Sequence, residues 1–297
     1  MTESSKAIFL YMARLFVIAA VGTALMSFAA CSRNGSQPQP VLLFDSLPQS
    51  FTLQPVINEV SGIADSKANP GYLWGIEDSG NPPQLYLISH DGAMQKIIPI
   101  KDASNRDWEE MKVCDNELYI AETGDNAQVY GEYRFYRFGE PSLHADTVRQ
   151  YDVIRFQYPD GSHDAEAFIV DPATKDIYIW TKRDIPSRLY RLSFPYSTSG
   201  LNAAEYLGAM PYTGIVGAAL SPDSREIILK TYASVHYYQR ANGESIADAV
   251  HHSDVTLPYR PEPQGEAVSF AQDNSGFFTL SERMGGPSVQ LFFYRRK

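Results

Sequence analysis

The chain has 297 residues, with 35 Asp and Glu against 25 Lys and Arg, for a net charge of -10. That balance disfavours a nucleic-acid partner, because grip on a phosphate backbone needs clustered Lys and Arg. A hydrophobic share of 44% is enough to bury a large core, and length alone does not force a second domain, since all-β barrels and propellers reach this size as one unit.

Residues 1–30 read as an export signal. Lys6 and Arg14 precede the uncharged apolar run LFVIAAVGTALMSFAA at 15–30, and Cys31 follows at once. Sixteen apolar residues fall short of the ~20 needed to span a bilayer as a helix. Ala29-Ala30-Cys31 resembles the bacterial lipobox, in which the cysteine is acylated and becomes the new N-terminus; Phe28 stands where that motif usually has Leu. Residues 31–40 then form a short tether rich in Ser, Gln and Pro, with a lipid on Cys31 as the membrane anchor. The expected location is the cell envelope, as an inner- or outer-membrane lipoprotein with a periplasmic mature domain. Cys114, in the apolar phrase MKVC, is then left without a disulfide partner and reads as a buried, inert thiol.

From residue 41 to 297 the chain reads as one domain built from a repeat. Short runs rich in Val, Ile, Tyr, Phe and Trp alternate with turn residues. Each unit opens on a comparable phrase: Ser61-Gly62-Ile63, Glu109-Glu110-Met111, Glu166-Ala167-Phe168, Ala218-Ala219-Leu220 and Glu266-Ala267-Val268, spaced by 48, 57, 52 and 48 residues. A second apolar run follows in every unit (LWGIED, LYIAET, IYIWTK, IILKTY, FFTLSE), then a third, and in most a weaker fourth such as AMQKIIPI and DVIRFQY. Four antiparallel strands per ~50 residues is the pattern of a propeller blade. The expected fold is therefore all-β, a single propeller of five four-stranded blades. The last unit is one strand short, and VLLFDSL at 41–47 is the segment expected to complete it and close the ring. Six blades stay open, because the 57-residue unit carries the extra segment 139–151.

The inner strand of each blade lines a central channel, and alternate residues of a strand face the same way. The positions expected to face the axis pair Ser61 with Glu59, Glu109 with Asp107, Glu166 with Asp164, Ala218 with Val216, and Glu266 with Gln264. Glu59, Asp107, Glu109, Asp164, Glu166 and Glu266 form a candidate metal set. Carboxylates crowded together raise each other's pKa, so either a hard cation neutralises them, calcium with its six to eight oxygens foremost, or they are solvated and paired with basic groups. The second strands end in a further polar set that gathers at the channel mouth, formed by residues 77–80, 122–126 and 181–184 with Thr231-Tyr232 and Ser281-Glu282-Arg283. Asp78, Glu122, Asp125, Asn126, Lys182, Arg183 and Arg283 are the candidate ligand-binding residues, the basic ones serving either to hold an anionic group or to balance the carboxylates. His163 stands near the ring as a conceivable general base, although one His beside a turn is more often exposed and idle. No catalytic residue is assigned.

At these same residues a resemblance emerges. DWEEM (107–111), LYIAETGDN (118–126), YRFYRFGEP (133–141), DAEAF (164–168), IYIWTKR (177–183), LKTYA (229–233), QGEAVSF (264–270) and TLSER (279–283) resemble blocks of secreted bacterial propellers of the esterase-like-phytase and NHL-like groups. NEVSGIADS with LWGIEDSGN is similar to the same group and to related calcium-binding periplasmic propellers. Where that pattern usually has Asp before Gly-Asp-Asn, this chain has Glu122-Thr123. The resemblance implies a propeller, export and calcium. Three functions are compatible: an envelope binding module with a cation in its channel and a small or extended ligand at its mouth; a metal-assisted hydrolase of phosphoesters, esters or lactones; and a non-catalytic scaffold.

Overall fold

The structure is a computed structural model and describes residues 43–297. The expected signal, tether and lipidated Cys31 lie outside the described residues. Five sheets are present. In chain order, blade one is Val60–Asp65, Tyr72–Glu77, Gln84–Ser89 and Met94–Pro99. Blade two is Trp108–Cys114, Glu117–Glu122, Tyr133–Gly139 and Asp152–Gln157, with Leu201–Ala203 added in parallel on its edge. Blade three is Ala165–Val170, Ile177–Thr181, Arg188–Leu192 and Glu205–Ala209, and blade four is Ile215–Leu220, Glu226–Thr231, Val235–Gln239 and Val255–Leu257. Blade five joins Gly265–Phe270, Gly276–Ser281 and Gln290–Arg295 to Gln49–Thr52 from the start of the domain. The five inner strands touch one another all the way round, so the sheets form one five-bladed propeller.

Burial explains why the strands take this order. Inner strands such as Val60–Asp65 and Ala165–Val170 are buried at every position, whereas outer strands such as Met94–Pro99 alternate with solvent. Apart from the acids at the channel and Lys112, inner strands are therefore mostly apolar, and outer ones tolerate Lys and Gln. Five apolar clusters fill the gaps between neighbouring blades, including the one between blades five and one, where Ile63 and Leu73 meet Phe278 and Leu280. Trp74, Trp108 and Trp180 lie fully inside these clusters.

The segment 139–151 is not a sixth blade. Its Val148 donates to Pro99 O and accepts from Lys101 N, which straps it to the outer edge of blade one. Ring closure does come from the N-terminal side: the closing strand is Gln49–Thr52, and Leu43 to Asp45 of VLLFDSL pair with the end of the same last strand. Within that phrase, Phe44 also serves as an anchor. Phe44 bridges Arg296 and inserts its ring between blades four and five, edge-on to Phe277 at 5.0 Å between centroids. Apolarity marked the buried residue, while the pairing needed only a free backbone edge. Cys114 is buried, and burial pushes its thiol up to about 11.

One backbone feature recurs in every blade. The first and second strands slip by one residue between Val60 and Gly62, Trp108 and Glu110, Ala165 and Ala167, Ile215 and Gly217, and Gly265 and Ala267. The extra residue at each bulge is Ser61, Glu109, Glu166, Val216 and Glu266. Blade four is thus aligned on Val216, not on the Ala218 that its sequence suggested.

Replacing Phe44 with Ala should cost ~3–5 kcal/mol, the usual penalty for emptying a buried aromatic site. Urea unfolding of Phe44→Ala measures this. A change within ~0.5 kcal/mol, as at an ordinary surface position, would show that the clasp does not hold the ring.

Candidate metal centre

A bulge places two residues opposite one, bends the strand and re-aims the extra side chain. Five such bulges at the same place in each blade re-aim Ser61, Glu109, Glu166, Val216 and Glu266, and the three glutamates among them converge. A second ring comes from the residues that immediately follow the second strands: Asp78, Thr123, Lys182, Tyr232 and Glu282. Where the two rings meet, oxygens of Glu109, Glu166 and Glu266 all lie within 4.8 Å of one another, and so do oxygens of Asp78, Asp107 and Glu109. Glu109 belongs to both groups. Blades one, two, three and five supply carboxylates; blade four supplies Tyr232, whose hydroxyl donates to Glu266 Oε1.

Among the described residues, Lys182 is the one basic residue in salt-bridge contact with these groups. Its Nζ pairs with Glu166 Oε1 and lies 3.4 Å from Glu266 Oε1, with the Tyr232 ring 5.3 Å away. The adjoining carboxylates hold its ammonium protonated well above the usual lysine range against the opposing effect of burial. Glu166 Oε2 is buried with no hydrogen-bond partner. Burial, then the charges of Glu166, Asp78, Glu266 and Asp107, push Glu109 well above the carboxylate range. Burial and the neighbouring Glu266 do the same to Glu166, against the pull of Lys182. Asp107 rises to about 7 through burial and the charge of Asp78, and Glu282 to about 7 through burial and the charges of Glu266, Asp78 and Glu59.

The loop after the second strand of blade two passes directly over these groups. A methyl group at Gly124 would collide with Glu109 Oε1 and with the Asp107 carboxylate. Glycine is what allows main chain to approach two acids this closely. The donor set is all oxygen, partly orphaned and pressed against backbone, and this suits a hard divalent cation.

The other expected site residues have separate roles. Glu59 is exposed and accepts from Asn81 Nδ2 at 2.7 Å, apart from both oxygen groups. Asp164 is fully buried, but Arg183 Nε at 2.8 Å and the Asp125 amide occupy its oxygens. Arg183 also donates to Asn126. Glu122 is locked inside blade two by Arg134 Nε at 2.8 Å and the Arg106 amide. Asp125 ties its own loop, accepting from Val129 N, Tyr130 N and Tyr133 OH. Arg283 binds Gly286 O and Asn58 Oδ1, across the joint between blades five and one. His163 is buried rather than idle: Asp184 lies 3.0 Å from one ring nitrogen, and Asp160 and Tyr190 lie 3.1 and 3.0 Å from the other.

Glu282 and Tyr232, part of the polar set expected at the strand ends, hold the same place after the second strand as Asp78 and Lys182 and join the site without having been assigned a role in it. Below the cluster Glu110 stands where the other blades have Gly or Ala, and Lys112 pairs with it at 2.8 Å.

No protein-family model matches the chain, and no curated protein matches it. Among solved structures, one from a nidogen–laminin complex aligns with a TM-score of 0.45 at 13% identity, covering 75% of this chain and 72% of that one. The Kuenenia stuttgartiensis hydrazine synthase aligns with a TM-score of 0.40 at 8% identity, over 80% of this chain and 83% of that one. At these values neither bears on the site.

The raised carboxylates set a pH dependence. Asp107 and Glu282 have ordinary values of 3.8 and 4.5 and reach about 7 in the folded chain. The unfolded chain therefore releases their protons first, and their stabilising contribution is complete below about 4 and lost as pH rises through about 7. In EDTA, the melting temperature should fall between pH 5 and pH 7.5, and Glu109→Gln should flatten the slope. A melting temperature that rises across this interval would contradict the assignment.

Proposed function

We propose that this chain is an exported, lipid-tethered propeller that holds a divalent cation in its acidic channel and receives a ligand at the channel mouth. The observation that carries the reading is Glu109, whose oxygens belong to two groups of three convergent carboxylates. Among the described residues, six carboxylates, those of Asp78, Asp107, Glu109, Glu166, Glu266 and Glu282, have one ammonium at salt-bridge range. Like charges at this density either bind protons or bind a cation, and near neutral pH a divalent ion is the stronger neutraliser. Calcium fits best, because it accepts irregular shells of carboxylate, carbonyl and water oxygens.

The rim supports a ligand site. The loops after the second strands of blades two, three and five project Val129, Ile185 and Met284, which are 69%, 88% and 61% exposed. These apolar tips stand on the same face as the acidic floor, an arrangement suited to a ligand with an apolar body and a polar group near the ion. Binding is preferred to hydrolysis because the cations that would stabilise developing charge are already engaged, Lys182 by Glu166 and Glu266, Arg183 by Asp164 and Asn126, and Arg283 by Gly286 and Asn58.

Adding calcium after EDTA treatment should raise the melting temperature of the wild-type chain. At a hundred times Kd the gain corresponds to ~2.7 kcal/mol. Glu109→Gln should abolish the gain, and a wild-type melt that ignores both EDTA and calcium would favour the inert scaffold. The membrane tether rests on the sequence of residues 15–31 alone. With Cys31→Ser, the chain should leave the detergent phase and the membrane fraction; an unchanged partition would remove the lipid anchor.

A further inference from the structure

We infer that the channel contains two overlapping cation seats that share Glu109, that Lys182 is the resident cation of one, and that the chain takes a single divalent ion in the other, at Asp78, Asp107 and Glu109. The inference rests on the cation-binding reading above and adds the ion's address and its stoichiometry.

The two groups of three differ in what already neutralises them. In the Glu109–Glu166–Glu266 group, Lys182 Nζ bridges Glu166 and Glu266, and Tyr232 donates to Glu266 from the side. An incoming ion would have to expel a largely buried ammonium, which would then need a new partner. In the Asp78–Asp107–Glu109 group, no Lys, Arg or His of the described residues stands within salt-bridge distance. Glu109 is only 4% exposed, and no donor among the described residues reaches its carboxylate. A polar side chain this buried is ordinarily satisfied. Gly124 main chain packs against both Glu109 and Asp107, which fixes those two oxygens beside the half-buried Asp78. Glu109 faces both seats, so the charge balance separates them: Lys182 neutralises one, and the other combines uncompensated charge with backbone support.

Lys182 also explains why a second ion is excluded. Two-metal centres place their ions ~3.5–4 Å apart and bridge them with a carboxylate. Glu109 is placed to be such a bridge, but the position beyond it is filled by the lysine. Glu166 Oε2, buried without a hydrogen-bond partner, is the oxygen such a second ion would claim if the lysine were gone.

Calcium titration calorimetry and equilibrium dialysis on the full chain in detergent test this. The wild type should bind one calcium. Asp107→Asn should weaken binding about tenfold or more, and Glu166→Gln should leave the site occupied at one per chain. Lys182→Met, verified as folded by circular dichroism, should take up a second calcium. The assignment is overturned if the wild type binds two ions, if folded Lys182→Met still binds one, or if Glu166→Gln loses the ion while Asp107→Asn keeps it. Should Lys182→Met not fold, the Asp107 and Glu166 variants decide the address on their own. No calcium bound by the wild type would instead remove the cation reading itself.

Discussion

Electrostatic repulsion between carboxylates brought to one axis is the constraint from which the rest of the site follows. A propeller presents equivalent positions of distant sequence segments to a common centre. The recurring bulge sharpens this, because it re-aims one side chain at the same place in each blade. Three of those five side chains are glutamates, and blade one adds Asp78 from the second ring. Such a centre tolerates only a few states: protonated acids, internal cations or bound metal. The chain uses the second through Lys182, and the elevated positions of Glu109, Glu166, Asp107 and Glu282 show how much negative charge remains.

Holding repelling groups together requires a rigid frame. The five interblade clusters supply it, each built from aromatic and branched side chains of two neighbouring sheets. Their mutual dependence is circular, since each blade is packed only by its neighbours. The joint between blades five and one therefore bears on the whole site. It is closed on the outside by Gln49–Thr52 against Gln290–Arg295, and at the mouth by Arg283 reaching Asn58. Polar locks such as Glu122 with Arg134, and Asp125 with its own loop, position the loop that carries Gly124 over the acids.

The blades were legible because their grammar is local: apolar runs of strand length, turn residues between them, and a period near 50. The acidic floor was legible for the same reason, as Glu109, Glu166 and Glu266 recur at one phase of the repeat. The register of blade four was not. Its inner strand, IVGAAL, offers small residues at several phases, and only the pairing of Gly217 with Lys230 shows that Val216 is the bulged residue. Sequence also could not tell which acids would be satisfied elsewhere. Glu59 and Asp164 share a phase with Asp107, yet solvent takes one and Arg183 takes the other. Those outcomes depend on the loop after the second strand of the same blade, which the first strand's pattern does not reveal. Glu282 and Tyr232 were legible as strand-end residues, but their part in the site was not, because ring position, not residue type, is what they share with Asp78 and Lys182.

The most direct test is crystallographic. Crystals grown with calcium and with a heavier lanthanide substitute should show one anomalous peak on the propeller axis side of Asp107, with oxygens of Asp78, Asp107 and Glu109 about 2.3–2.6 Å away. Carboxylates splayed apart in solvent, with no ion among them at saturating calcium, would contradict the account.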